Sequence, residues 1–191
     1  MKAQKGKGIM SLAGLALLMG IFIATLPGMS WAATAGEIDR DVTNALNNLY
    51  RTTPGAKTLA GTAKGILVFP SIIKGGFIVG GQYGEGALRV GKKTRGYYNT
   101  VSASYGLQAG AESFGYALFF MDNESLKYLD KSDGWELGVA PNVVLVNQGI
   151  AKSLSTTTAK SGIYAFFFNQ KGLMADVSIA GSKITKINPA K

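Results

Sequence analysis

The sequence predicts an α+β fold, with N-terminal helices packed on a glycine-rich antiparallel β-sandwich or partly closed barrel. Three observations carry this. A helical period of apolar residues is concentrated in residues 37–63; with one short exception, the later apolar runs are brief, β-branched or aromatic, and bounded by turn residues; and twelve Gly fall between Gly65 and Gly115. No alternation of strand and helix is present, which argues against a doubly wound nucleotide fold.

Ahead of that fold stands a leader. Lys2, Lys5 and Lys7 form a positive start, residues 9–26 are almost continuously apolar, and Pro27-Gly28 precedes a cluster of small residues. Residues 1–35 are therefore expected to be a signal peptide and residues 36–191 a single domain, exported to the periplasm or envelope. Cleavage can follow Ala32 (Ser30-Trp31-Ala32) or Ala35 (Ala33-Thr34-Ala35), with Ala35 slightly preferred. The alternative is an uncleaved anchor, because the run is just long enough to cross a bilayer. Gly14, Gly20, Thr25 and the small-residue exit weigh against it.

Residues 37–51 read as an amphipathic helix with Ile38, Val42, Ala45, Leu46 and Leu49 on one stripe, Glu37, Asp39 and Asp41 in its first turns and Arg51 at its end. A shorter helix is expected over 56–63, opened by Pro54. Strands are expected over 66–69, 77–79, 87–90, 97–105 and 113–121, then a helix over 122–131 capped by Asp122 or Asn123, with Leu126 and Leu129 inward. Further strands are expected over 135–139, 143–146, 163–168, 173–179 and 183–187, the third and fourth forming a hairpin about Asn169-Gln170-Lys171-Gly172. Gly inside strands weakens them unless it permits a bulge or close backbone approach, so a strongly curved sheet is expected.

The chain has 191 residues, no His and no Cys, which excludes His-bearing triads, Cys nucleophiles, disulfides and the usual zinc sites. No cofactor or metal is implied. Lys and Arg total 20 against 11 acids; loss of residues 1–35 removes three Lys and no acid, leaving 17 against 11. The basicity therefore belongs to the mature domain and attracts anionic lipids or envelope polymers. Nucleic acid is not expected, since the chain is exported and carries no nucleic-acid-binding signature.

Several motifs come close to known chemistry and fail. Gly86-Ala87-Leu88-Arg89-Val90-Gly91-Lys92-Lys93 approaches a phosphate-binding loop, but Lys93 replaces the Ser or Thr that binds magnesium, and no helix follows. Ser71-Ile72-Ile73-Lys74, Ser132-Asp133-Gly134 and Lys160-Ser161-Gly162 imitate penicillin-interacting serine enzymes. That chemistry needs Ser and Lys one helical turn apart, and Pro70 and Gly75-Gly76 oppose a helix there. Asp130, Asp133 and Glu136 lack calcium-loop spacing and read as a solvated turn. The remaining candidates are basic. Arg89, Lys92, Lys93 and Arg95 are expected to project from a hairpin toward anionic head groups, with Lys74 as a further lipid contact and Ile72-Ile73 either inserting into the membrane or lying in the core.

Ala63-Lys64-Gly65-Ile66-Leu67-Val68-Phe69, Lys74-Gly75-Gly76-Phe77-Ile78-Val79-Gly80-Gly81, Gly84-Glu85-Gly86, Tyr105-Gly106-Leu107-Gln108-Ala109-Gly110-Ala111-Glu112 and Lys171-Gly172-Leu173-Met174-Ala175-Asp176-Val177-Ser178-Ile179-Ala180-Gly181-Ser182 occur in that order. Together they resemble a SYLF domain, the actin-binding-like domain of yeast endocytic proteins, over about residues 37–187. The resemblance implies non-catalytic binding of phospholipid, with phosphoinositides bound in the family and actin bound by some eukaryotic members. An exported bacterial setting favours the lipid over actin. The expected function is thus binding of anionic phospholipid at a membrane surface; the alternative is an envelope scaffold domain that meets an acidic protein partner.

Overall fold

A computed structural model describes residues 32–76, 79–105, 110–131, 135–137, 143–146, 154–155, 159, 162–171, 179 and 181–191. Most of the expected signal peptide lies outside these residues, as do most of the expected strand over 173–179 and the stretches 132–134 and 160–161.

Helix α1 (Ala35–Thr52) starts two residues earlier than its apolar stripe suggests because Thr34 caps it. The Thr34 hydroxyl accepts from the Glu37 amide at 3.3 Å, and a Glu37 carboxylate oxygen accepts from the Thr34 amide at 2.9 Å. This reciprocal pair satisfies two amides that a helix start would otherwise leave open. Those hydrogen bonds hold the Glu37 carboxyl below its ordinary pKa. Ile38, Val42, Ala45 and Leu49 are buried, as the helical period predicts. Helix α2 (Pro54–Ala60) opens on Pro54 and stops three residues before its expected end.

Eight strands follow: β1 (Gly65–Gly76), β2 (Val79–Val90), β3 (Lys93–Tyr105), β4 (Gly110–Phe120), β5 (Trp135–Glu136), β6 (Val143–Val146), β7 (Ile163–Lys171) and β8 (Lys183–Ile187). They form one curled sheet, a half-barrel, in the order β5-β8-β3-β2-β1-β4-β7-β6. The expectation of a purely antiparallel sheet needs one correction: β6 runs parallel to β7, with Val143 opposite Ile163 and Val146 opposite Phe166. A second correction concerns the turn expected at 169–172, whose first three residues continue β7. Asn169 there adopts a left-handed φ of 53°, a conformation that Asn tolerates better than most residues.

A bulge in β1 organises the sheet. Val68 pairs with Ala87 and Ser71 with Glu85, so Phe69 and Pro70 together oppose Gly86. On the other side Phe69 pairs with Tyr116 and Ile72 with Phe114, so Pro70 and Ser71 oppose Gly115. Two residues against one is the definition of a bulge, and Pro70 suits it because proline has no amide to give the ladder. Both opposing residues are glycine for steric reasons. A Cβ on Gly86 would collide with the Val68 carbonyl oxygen, and one on Gly115 would lie 2.6 Å from the Pro70 carbonyl oxygen and collide with the Phe168 ring.

The two faces of the sheet bury separate cores. Inside the curl, Leu67, Phe69, Ile72, Leu88, Phe114, Tyr116, Leu118 and Phe120 pack with Ile163, Trp135 and Ile184. Helix α3 (Asn123–Lys131) closes that interior with Leu126 and Leu129. On the outer face, α1 and α2 lie over Ile66, Val68, Ala87, Ala117, Phe119, Phe166 and Phe168. Asp122 is the cap of α3: its oxygens accept from the Ser125 amide at 2.7 Å and the Gly162 amide at 2.6 Å, tying the helix start to β7. Desolvation pushes the Asp122 pKa up, but hydrogen bonds from the Ser125 and Gly162 amides, the Ser125 hydroxyl and the Glu124 amide together outweigh it, so the net shift is downward.

Two outcomes are expected. Gly86→Ala should destabilise the domain by about 3 kcal/mol or more, since rigid backbone must move, whereas Gly75→Ala, with open space around its Cβ, should cost under about 1 kcal/mol by urea unfolding. Because the folded pKa of Asp122 is depressed, its stabilisation is complete above the unfolded value of about 3.9 and is lost as pH falls through the lower folded value. The stability gap between wild type and Asp122→Asn, followed by thermal melting, should therefore be constant near neutrality and close on acidification below about pH 4.

Candidate functional site

The basic residues singled out from the sequence separate into groups with different tasks. The β2–β3 connection is a two-residue turn, Gly91-Lys92, between the paired Val90 and Lys93. Gly91 has φ +59°, the first-position conformation that favours glycine in a hairpin turn. Lys92 and Lys93 are exposed there. Arg95 is exposed but paired with Asp130 of α3 at 2.8 Å.

Arg89 belongs to the framework and not to a free surface. Its guanidinium donates to the Asp39 carbonyl at 2.9 Å and the Thr43 hydroxyl at 3.1 Å and lies 3.3 Å from the Asp39 carboxylate. The same carboxylate accepts from the Thr94 hydroxyl at 2.6 Å and the Tyr97 hydroxyl at 3.1 Å. Asp39 thus pins α1 to β2 and β3. An acid read from sequence as an ordinary first-turn residue is the clamp between helix and sheet.

Lys74 sits far from the hairpin. It pairs across strands with Gln82, seven residues along β2 from Arg89, or about 23 Å at the usual strand rise. It faces the interior side, 3.9 Å from Glu112 and largely covered. Ile72 is fully buried in the inner core, whereas its neighbour Ile73 is 59% exposed. Of the two isoleucines offered for membrane insertion, only Ile73 is at the surface.

Ile73 belongs to an arrangement that sequence reading did not find. Directly opposite it on β2 is Tyr83, opposite Tyr83 on β3 is Val101, and opposite Val101 on β8 is Lys183. In the other direction Ile73 faces Ser113 of β4, which faces Lys171 of β7. Directly paired residues share a face and stand about 5 Å apart. One row therefore crosses six strands on the outer face: Lys171, Ser113, Ile73, Tyr83, Val101, Lys183. Its three apolar members are 59%, 44% and 45% exposed, and both lysines are exposed. Neither lysine has a hydrogen-bond or ion-pair partner among the described residues. Tyr83 donates its hydroxyl to Glu85 at 2.5 Å. Desolvation, then that bond and the Glu85 charge, push its pKa up to about 12, against an opposing effect of Asn99, so the row carries a neutral phenol at physiological pH.

Catalytic readings find no support in this geometry. Ser71 and Lys74 are three residues apart on a strand, where such residues point to opposite faces, so they cannot form the one-turn pair that serine–lysine chemistry needs. Residues 86–93 run from a strand through a turn into another strand, with no helix start to hold phosphate. Among the described residues no cluster of three or more carboxylates could hold a metal ion, and no helix is long and apolar enough to cross a membrane.

The half-barrel thus has an outer face covered by helices at one end and a row of partly exposed apolar and cationic side chains at the other. Residues 101–190 match the Ysc84 model, described as Las17-binding protein actin regulator, which agrees with the SYLF resemblance over that segment. The matched range includes the quoted stretches 105–112 and 171–182, while those within 63–86 precede it. Comparison with curated proteins gives no match.

Asp39→Ala should lower stability by about 2 kcal/mol, because Arg89, Thr94 and Tyr97 all lose an acceptor. Chemical denaturation checks this, and an unchanged midpoint would show that the clamp is dispensable.

Proposed function

We propose that the domain is exported and binds anionic phospholipid at a membrane surface without catalysis. The observation that supports this best is the outer-face row, three exposed apolar side chains flanked by Lys171 and Lys183. Apolar side chains enter the boundary between head groups and acyl chains, and flanking lysines meet the phosphates. The magnitudes describe a weak attachment. Each half-exposed apolar side chain adds about 1 kcal/mol on burial, and each nearby lysine about 1 kcal/mol at an anionic surface. A sum of about 5 kcal/mol corresponds to a dissociation constant on the order of 0.2 mM. Binding of that strength is reversible and salt-sensitive.

The turn that carries Lys92 and Lys93 begins after Val90, seven residues along β2 from Tyr83, so it lies about 23 Å or more from the row, beyond the screening length of about 8 Å at physiological salt. These lysines are a second, separate contact in this reading.

Sedimentation with vesicles containing phosphatidylserine, against vesicles of phosphatidylcholine alone, tests the proposal. Retention should require the anionic lipid and weaken with salt. Ile73→Ser with Val101→Ser, or Lys171→Ala with Lys183→Ala, should each reduce it about tenfold, and Lys92→Ala with Lys93→Ala by less than about threefold. Equal retention on both vesicles, or none on either, would defeat the lipid reading and favour an acidic protein partner.

A further inference from the structure

The geometry points to processing between Ala32 and Ala33, with the newly formed α-ammonium of Ala33 held by the Glu85 carboxylate. This rests on the export reading above and is independent of lipid binding. The sequence alone offers two small-residue sites, after Ala32 and after Ala35, and the structure separates their products.

Residues 33–35 are part of the fold. The Ala33 nitrogen donates to Glu85 Oε2 at 2.9 Å, a contact between residues 52 apart in sequence. Thr34 is the helix cap: besides its exchange with Glu37, its carbonyl accepts from the Ile38 amide at 3.0 Å. The Ala35 amide donates to the Ala190 carbonyl at 2.8 Å, joining the start of α1 to the C-terminal segment. Cleavage after Ala35 would delete the cap, the Glu85 contact and the Ala35–Ala190 bond together. Loss of a threonine cap by itself already destabilises a helix start. Cleavage after Ala32 preserves every one of these bonds, and Ala32 itself is exposed and outside the helix.

It also improves one of them. A membrane-bound signal peptidase adds water across the Ala32–Ala33 peptide bond: hydroxide goes to the Ala32 carbonyl carbon, and the Ala33 nitrogen leaves as an amine that takes a further proton at neutral pH. An amide hydrogen bond to Glu85 becomes a charge-assisted pair, which is the stronger kind. Glu85 is prepared for it, because its other oxygen is already engaged by the Tyr83 hydroxyl. The new charge would therefore offset the carboxylate next to the outer-face row.

The test is to express the full-length chain in a Gram-negative host, recover it from the envelope fraction and determine its intact mass and N-terminal sequence. A chain beginning at Ala33 is expected, and Ala35→Leu, which places a large residue at the rival site, should leave that start unchanged. A chain beginning at Gly36 would overturn the inference while leaving export intact; a chain retaining residues 1–32 would overturn both. For the ion pair, Glu85→Gln should lower the melting temperature of the processed protein by about 2–4 °C. An unchanged melting temperature would show that Glu85 does not hold the new terminus.

Discussion

The extra residue in β1 decides which side chains this domain shows to its surroundings. Along β1, Val68 faces the helices and Phe69 faces the interior. Uninterrupted alternation would then send Ile72 outward and Ile73 inward. The bulge around Pro70 reverses that order, because a one-residue slip moves every later side chain to the opposite face. Ile72 enters the core and Ile73 emerges on the outer face, in line with Tyr83 and Val101. Gly86 and Gly115, the single residues opposite the bulge on either side, make room for it.

The same break divides the outer face into two territories. Before it, α1 and α2 cover the sheet, held by the Asp39 clamp to Arg89, Thr94 and Tyr97 and by the stripe of Ile38, Val42, Ala45 and Leu49. Beyond it lies the row from Lys171 to Lys183. Fixed strand register places the apolar residues at the centre and the cations at the ends, so the pattern needs no dedicated loop. A surface of this kind suits a partner that is itself apolar beneath and anionic above.

Much of the fold was legible locally. The stripe of α1, the Asp122 cap, the Gly91 turn and the strand-rich character after Gly65 all follow from short-range chemistry. The early start of α1 was recoverable from Thr34 and Glu37 as a capping box. The candidate site was legible only in part, because charge in sequence does not reveal partners. Arg89 looked like its neighbours Lys92 and Lys93, yet it is engaged by a residue 50 positions away. Ile72 and Ile73 were indistinguishable until the bulge fixed their parity. The row itself depends on the register of six strands, and Lys171 and Lys183 enter it from segments that no local pattern connects to Ile73. The parallel pairing of β6 with β7 was likewise a matter of chain path and not of composition.

The absence of cysteine from the sequence allows a direct measurement at the centre of the row. Ile73→Cys can be labelled with an environment-sensitive fluorophore, with Lys92→Cys labelled as a reference on the hairpin. On vesicles containing phosphatidylserine, the label at residue 73 should shift to the blue and be quenched by quenchers carried in the acyl chains, while the label at residue 92 changes little. Vesicle-bound protein whose label at residue 73 stays in water would contradict the assignment of the outer-face row as the membrane contact.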